Sequence, residues 1–183
     1  MLAVPTVGLG LGLGLPLALA SPLSQASQLY QPAMPTPTQA ATSHPAADYN
    51  ASISGNGQYM AFVSDRSGNP DIWLKSLANG VVSLPRILTA HPGVDKNPAL
   101  NAQGNRLLYV STKTDPRGDV YLLDIDTGKD IRLTDLSSED SSPQWSEDEQ
   151  AFYYLKRNLK TRQQGIYRQH LGDRTEWQVV ESA

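Results

Sequence analysis

Asp65, Ser67, Asn69 and Asp71 stand at alternate positions, and oxygen-bearing side chains at that spacing are what a calcium loop uses. Two features count against an ion. Glycine falls at the fourth position (Gly68) rather than the sixth, and Ser76 stands where a closing bidentate Glu is required. The same residue types also turn a chain between two strands, with Asp and Asn accepting from nearby backbone amides. A turn is the expected role. Nucleophilic catalysis would need a base beside an activated hydroxyl. There is no Gly-x-Ser-x-Gly elbow, and the three histidines, His44, His91 and His170, are far apart in sequence. His91 precedes Pro92 in a loop and His170 falls in a strand, so both are expected to be structural or surface groups. With no cysteine, the chain can have no disulfide framework, Cys-zinc site, thiol nucleophile or cysteine lipid anchor. No residue is assigned a catalytic, cofactor-binding or metal-binding role, and a non-enzyme without a cofactor is expected.

Charge could still recruit a partner. Residues 135–149 contain Asp135, Glu139, Asp140, Glu147, Asp148 and Glu149 without a basic residue, which could form an acidic rim or simply solvated turns. Lys156, Arg157, Lys160 and Arg162 crowd one turn and could dock on an anionic surface, or serve as an exposed loop. Solvated turns and loop are the plainer readings. The net charge of −3 gives no general pull toward nucleic acid.

These residues must be positioned by repeated elements. Ile53, Leu100 and Trp145 are each followed, nine residues on, by an aromatic: Phe62, Tyr109 and Tyr154. Between them lies a tight polar turn and then an apolar run, as in a buried strand. A second turn and strand follow, into Ile72-Trp73-Leu74, Val120-Tyr121-Leu122-Leu123 and Ile166-Tyr167. Two copies end in Arg86-Ile87-Leu88-Thr89 and Arg132-Leu133-Thr134, whereas the third ends in the alternating run Thr175 to Val179. Four short strands in about 45 residues leave no room for helices, and such units must stack face to face. The fold class expected is all-β, with three four-stranded β-propeller blades over about 48–94, 95–139 and 140–183. An ordinary sandwich has the same strand density but does not explain the repeat.

The repeats resemble the WD40-like β-propeller repeats of the TolB family, whose pattern is roughly Pro-x-Trp-Ser-Pro-Asp-Gly-Lys, Ile-Ala-Phe-x-Ser-Asp-Arg, Asp-Ile-Tyr and Leu-Thr. The first copy matches in Ala61-Phe62-Val63-Ser64-Asp65-Arg66 and Asp71-Ile72-Trp73. The second matches in Asn97-Pro98-Ala99-Leu100, Tyr109-Val110-Ser111, Asp119-Val120-Tyr121 and Arg132-Leu133-Thr134, and the third in Ser142-Pro143-Gln144-Trp145-Ser146 and Ile166-Tyr167. The resemblance implies a propeller and says less about function, because such propellers scaffold many activities. The family's propeller has six blades and an additional N-terminal α/β domain that does not precede Asp48. Three blades are half of such a ring, and both end blades would expose apolar faces. A head-to-tail homodimer closing a six-bladed ring is the simplest repair. A partner propeller protein, a gene fragment and an open three-blade array are its rivals.

Residues 1–47 contain no charged side chain and 7 of the 13 prolines, so all 33 charged residues lie in 48–183. That part is about a quarter charged, as in ordinary globular domains. Residues 7–20 form an apolar stretch ending in Ala18-Leu19-Ala20, the length and small-residue ending of a secretory signal. Residues 1–20 are expected to be a signal peptide cleaved after Ala20, although no Lys or Arg precedes the apolar run. Residues 21–47 read as a disordered tether rich in Pro, Ser, Thr and Gln. No apolar run reaches the roughly 20 residues of a stable membrane span. The expectation is an exported, periplasmic or secreted protein-interaction scaffold of the cell envelope, with a protein partner the sequence does not name. The alternative is a ligand-binding, metal-binding or enzymatic propeller whose channel site is completed only on oligomerisation. If residues 65–71 are a turn, millimolar calcium will leave the melting temperature unchanged; a calcium-dependent rise would show a bound ion.

Overall fold

The computed structural model describes residues 40–77 and 83–181. The expected signal peptide and the tether as far as residue 39 lie outside the described residues. Twelve strands follow one another: β1 (Asp48–Ile53), β2 (Tyr59–Ser64), β3 (Asp71–Ser76), β4 (Arg86–Ile87), β5 (Asp95–Leu100), β6 (Arg106–Ser111), β7 (Asp119–Asp124), β8 (Asp130–Arg132), β9 (Ser138–Trp145), β10 (Ala151–Asn158), β11 (Gln164–His170) and β12 (Glu176–Glu181). They form three antiparallel sheets of four strands, each in sequential order. No helix occurs among the described residues.

Each sheet is a meander, so its faces can be named by the neighbours they meet. The front face of the first blade carries Ala61, Ile72 and Leu74, which pack on Leu107, Tyr109, Tyr121 and Leu123 from the rear of the second. The front of the second carries Leu108, Val110 and Val120, which receive Phe152, Tyr154, Tyr167 and Trp145 from the rear of the third. β6 is therefore buried on both faces and reads as a continuous apolar run. β10 instead alternates, because only its rear side is covered.

Turns lock the blades in register. Asn56 N–H donates to Ala102 O at 2.9 Å, and its side-chain amide donates to Gln103 O at 3.0 Å. One junction on, Glu149 accepts from Ala102 N–H at 2.7 Å, Asn101 Nδ2 at 3.1 Å and Arg106 at 2.5 Å. Gly104 lies against Tyr59, at φ +75°. A Cβ there would meet the ring at 2.5 Å, so the close approach requires glycine.

Every inner strand carries the same irregularity. Asn50, Asn97 and Ser142 have φ of 49°, 52° and 54°, and the pairing register shifts beside each. This is a repeated β-bulge, a position where Asn tolerates the left-handed conformation. Pro98 and Pro143 follow it directly, at a point where the ladder is already broken.

The Leu-Thr endings differ from the expected strands. β4 stops at Ile87 and β8 at Arg132. Beyond them the threonine hydroxyl takes the place of a ladder carbonyl: Thr89 Oγ1 accepts from Ile72 N–H and Thr134 Oγ1 from Val120 N–H, both at 2.9 Å. The third blade lacks this device, and β12 pairs along most of β11 instead. Thr89→Val should leave the buried Ile72 amide unpaired and lower stability by about 1–3 kcal/mol. Urea denaturation would measure the loss, and Thr89→Ser should restore most of it.

Candidate functional site

Antiparallel pairing brings the start of each inner strand, the end of the second and the start of the third to one edge of the stack. The three sets are Asp48, Ser64 and Asp71; Asp95, Ser111 and Asp119; and Asp140, Lys156 and Gly165. Asp71, Asp95, Asp119 and Asp140 are buried to within 1% of full enclosure, so four carboxylates sit inside the blade junctions.

At the first junction, His91 Nε2 lies 3.2 Å from Asp95 Oδ2 and 3.5 Å from Ser111 Oγ. The residue types are those of a hydrolytic triad, but the geometry is not. His91 Nδ1 accepts from Gly93 N–H at 3.1 Å. With Nδ1 accepting, the tautomer that fits carries its proton on Nε2, while Asp95 Oδ2 stands at ion-pair distance and receives no hydrogen bond. A triad places the acid on one ring nitrogen and the hydroxyl on the other. Here both meet the same nitrogen, which has no lone pair left to accept the Ser111 proton, and Ser111 is fully buried. The trio acts as a polar plug.

The first junction also holds Asp71, which accepts from Ser67 Oγ at 2.5 Å while its Oδ1 has no partner. Burial pushes the Asp95 carboxyl above its ordinary range, and the neighbouring Asp71 charge adds to this, against the pull of Thr89, Ser111 and His91. Lys113, Thr112 and Thr114 join His91 in lining an open groove of about 750 Å³ beside the plug.

At the second junction, Arg132 Nε lies 3.1 Å from Asp119 Oδ2. Asp140 lies beside Thr134 and Ser138, and burial, reinforced by the Asp119 charge, pushes its carboxyl up to about 6. Asp119 itself is raised by burial, against the pull of Arg132. Nearer the outer strands a second device repeats. Tyr109 Oη donates to Asp130, which also holds the Lys113 ammonium; Tyr154 Oη donates to Glu176, which holds Lys156. Burial and the acid acceptor push both phenols well above their usual range. Phe62 occupies this position in the first blade and has no hydroxyl to offer.

The features singled out from the sequence are dispersed or absorbed. Residues 65–71 form a turn: Gly68 N–H donates to Asp65 O, and Asn69 Nδ2 donates to His91 O at 3.0 Å and Gly93 O at 2.7 Å. Among the described residues no three His, Asp or Glu side chains are grouped to hold a metal. The acidic stretch splits between both ends of β9. Asp140 is buried, Glu149 clamps the second blade, Asp135 accepts from Ser137, and Asp148 caps its own turn. The basic run is divided too: Lys156 lies over Tyr167 and pairs with Glu176, Arg157 faces Glu139 at 3.6 Å, and Lys160 and Arg162 remain exposed. His170 Nδ1 accepts from Gly172 N–H in a local turn and lies 3.2 Å from Asp173. Sequence reasoning missed the buried carboxylates. The signal was the same letter at matched repeat positions: Asp48, Asp95 and Asp140, then Asp71 and Asp119.

This architecture, four-stranded meanders stacked face to face at a repeating period, is that of β-propeller blades. No family model and no curated protein matches the chain. Solved structures do. TolB from Acinetobacter baumannii is 20% identical with a TM-score of 0.65, over 75% of this chain and 33% of that one. A putative TolB from Agrobacterium tumefaciens is 24% identical with a TM-score of 0.62, over 73% and 46%. Oligogalacturonate lyase from Vibrio parahaemolyticus is 11% identical with a TM-score of 0.61, over 78% and 43%. The chain thus spans a third to somewhat under half of these structures. Its fold is that of TolB-like propeller repeats, in three blades.

The Asp140 shift has a sign that can be tested. Its folded value of about 6 exceeds the ordinary 3.8, so its contribution is fully present below about pH 4 and is lost as pH rises through 6. A shift of that size corresponds to about 3 kcal/mol. Asp140→Asn should therefore raise the melting temperature at pH 7.5 and change it little at pH 4. Destabilisation at pH 7.5 would show that the ionised carboxylate holds the junction together.

Proposed function

We propose that the chain is an exported, non-enzymatic protein-interaction scaffold of the cell envelope, similar in role to TolB. The observation that carries this reading is a stack whose third blade leaves an apolar face open among the described residues, with Ile166, Trp177 and Val180 between 39% and 52% exposed. A face of this kind marks a protein contact. The likeness in fold to TolB supports it. The Ser111, His91 and Asp95 cluster at the first junction is built as a plug, which counts against hydrolytic chemistry at that junction. No helix among the described residues is long and apolar enough to cross a membrane.

A head-to-tail homodimer closing six blades is one form this scaffold could take. It needs the rear face of the first blade, where Met60 and Phe62 are 6% and 1% exposed, to be uncovered first. Export should be visible as recovery of the full-length gene product from the periplasmic or secreted fraction with Ser21 at its N-terminus. The scaffold role is tested by affinity capture from envelope extract with tagged protein, wild type beside Leu155→Asp, at the residue that pairs with Ile166 on this face. The expected result is a defined protein captured by the wild type and lost with the variant. Capture of nothing, or equal capture by both, would sink the role.

A further inference from the structure

The aspartates at matched repeat positions are not matched in their basic partners. Asp48 accepts from Arg66 at 2.8 and 2.9 Å. That guanidinium lies across the rear of the first blade, its carbon 5.4 Å from the Phe62 ring centre and 4.8 Å from that of Trp73. At the second junction, Arg132 Nε lies 3.1 Å from Asp119, and Lys156 acts on Asp140. Arg132 is on β8, where it pairs with Tyr121. The matching residue of the first blade, paired with Trp73 on β4, is Ile87. Among the described residues no Lys or Arg lies at ion-pair distance from Asp71 or Asp95; His91 alone does, beside Asp95.

The unpartnered buried atoms differ in the same sense. The second junction has acceptors on Asp119, Asp140 and Ser138, but also donors on Arg132, Nε and Nη2. Bridging water can satisfy a set of both kinds. The first junction has acceptors only, Asp71 Oδ1 and both oxygens of Asp95. These two acids are neighbours. Asp95 N–H donates to Pro70 O at 2.8 Å, one residue from Asp71, and burial, with the Asp71 charge adding to it, pushes the Asp95 carboxyl up. Two enclosed carboxylates with no counter-charge are strongly disfavoured. His91 is ill placed to supply that charge. Its Nδ1 accepts from Gly93 N–H at 3.1 Å, so a ring with protons on both nitrogens would set one donor against another. A metal ion is no better served, because Nε2 then holds the ring's one proton and has no lone pair to offer.

We infer that the first junction carries a proton where the second carries Arg132: Asp71 and Asp95 hold one between them at neutral pH, and the first blade loosens from the second when it is lost. The titratable groups facing the pair are His91, from the loop after β4, and Tyr109, from β6. Beyond them Lys113 and Tyr109 both bond to Asp130, so that cluster is closed on itself. An acid raised by the fold stabilises it below the acid's ordinary range, and that contribution is lost as pH rises through the folded value. The junction is therefore tightened by acid and loosened by alkali. The inference goes beyond the scaffold reading and does not need it.

The full chain with Asp140→Asn, which silences the raised acid of the second junction, is the parent for the test. Its infrared spectrum at pH 7 should show the C=O stretch of a protonated carboxyl. Adding Asp71→Asn or Asp95→Asn should each remove that band, because the remaining acid then meets an amide in place of a second charge. From pH 7 to 9 the unfolding constant of the parent, measured in urea, should rise more steeply than that of either variant, by up to about tenfold per pH unit. Ile87→Arg should flatten the slope in the same way, by supplying the missing charge from β4. Hydrogen exchange, corrected for its intrinsic pH dependence, should place the loss at the first junction: protection of the Ile72 amide, which donates to Thr89, should fall more than that of Val120. A missing carboxyl band, or one that survives both Asn substitutions, would overturn the inference. So would a pH slope that neither substitution changes. A parent destabilised by a chelator at pH 8 would overturn it too, by putting a metal ion in the proton's place.

Discussion

Each junction in this molecule depends on an aromatic pair seated in the aliphatic face of the blade before it. Tyr109 and Tyr121, with ring centres 5.6 Å apart, fill the front of the first blade; Tyr154 and Tyr167, 6.2 Å apart, fill the front of the second. A four-stranded sheet with two apolar faces cannot rest alone in water, and burying large rings supplies most of the drive to stack. Other features follow from that seating. The rings carry hydroxyls into the junction, so Asp130 and Glu176 are placed to accept from them. The turns must then interlock, which is the work of Asn56 and Glu149. Gly104 is needed because Tyr59 occupies the space a side chain would take.

The buried carboxylates stand against this apolar order. Isolated charges in such surroundings cost several kcal/mol, and proteins answer with partners or with a bound proton. Both answers occur here. Asp119 is matched by Arg132, yet burial raises it along with Asp95 and Asp140 toward the neutral form. The stack thus resists the usual acid response at these three positions. Surface carboxylates such as Asp124 and Asp173, held low by Thr127 and Thr175, behave in the opposite sense.

The blades were legible in the sequence because spacing repeats survive without knowledge of contacts. The aromatics at Phe62, Tyr109 and Tyr154 and the polar turns before them locate β2, β6 and β10. Charge was less legible. The run from Lys156 to Arg162 reads as one patch in a line of text, but a strand sends alternate residues to opposite faces, so Lys156 and Arg157 part company. Asp140 reads as one member of an acidic stretch, yet its neighbours in space are Thr134, Ser138 and Asp119, brought together by pairing between blades. The Leu-Thr endings were read as strand residues. Only the fold reveals that the hydroxyl closes the ladder while the chain leaves it.

The Arg66–Asp48 pair gives the stack a direction. A further repeat placed beyond Glu181 could settle on the third blade with little change to β9–β12. One placed ahead of Asp48 would have to dislodge an ion pair whose side chains are each 10% exposed, and lift a guanidinium from two aromatic rings. Lengthening by duplication would therefore be easy at one end and obstructed at the other. A designer extending this protein blade by blade should build from β12 outward.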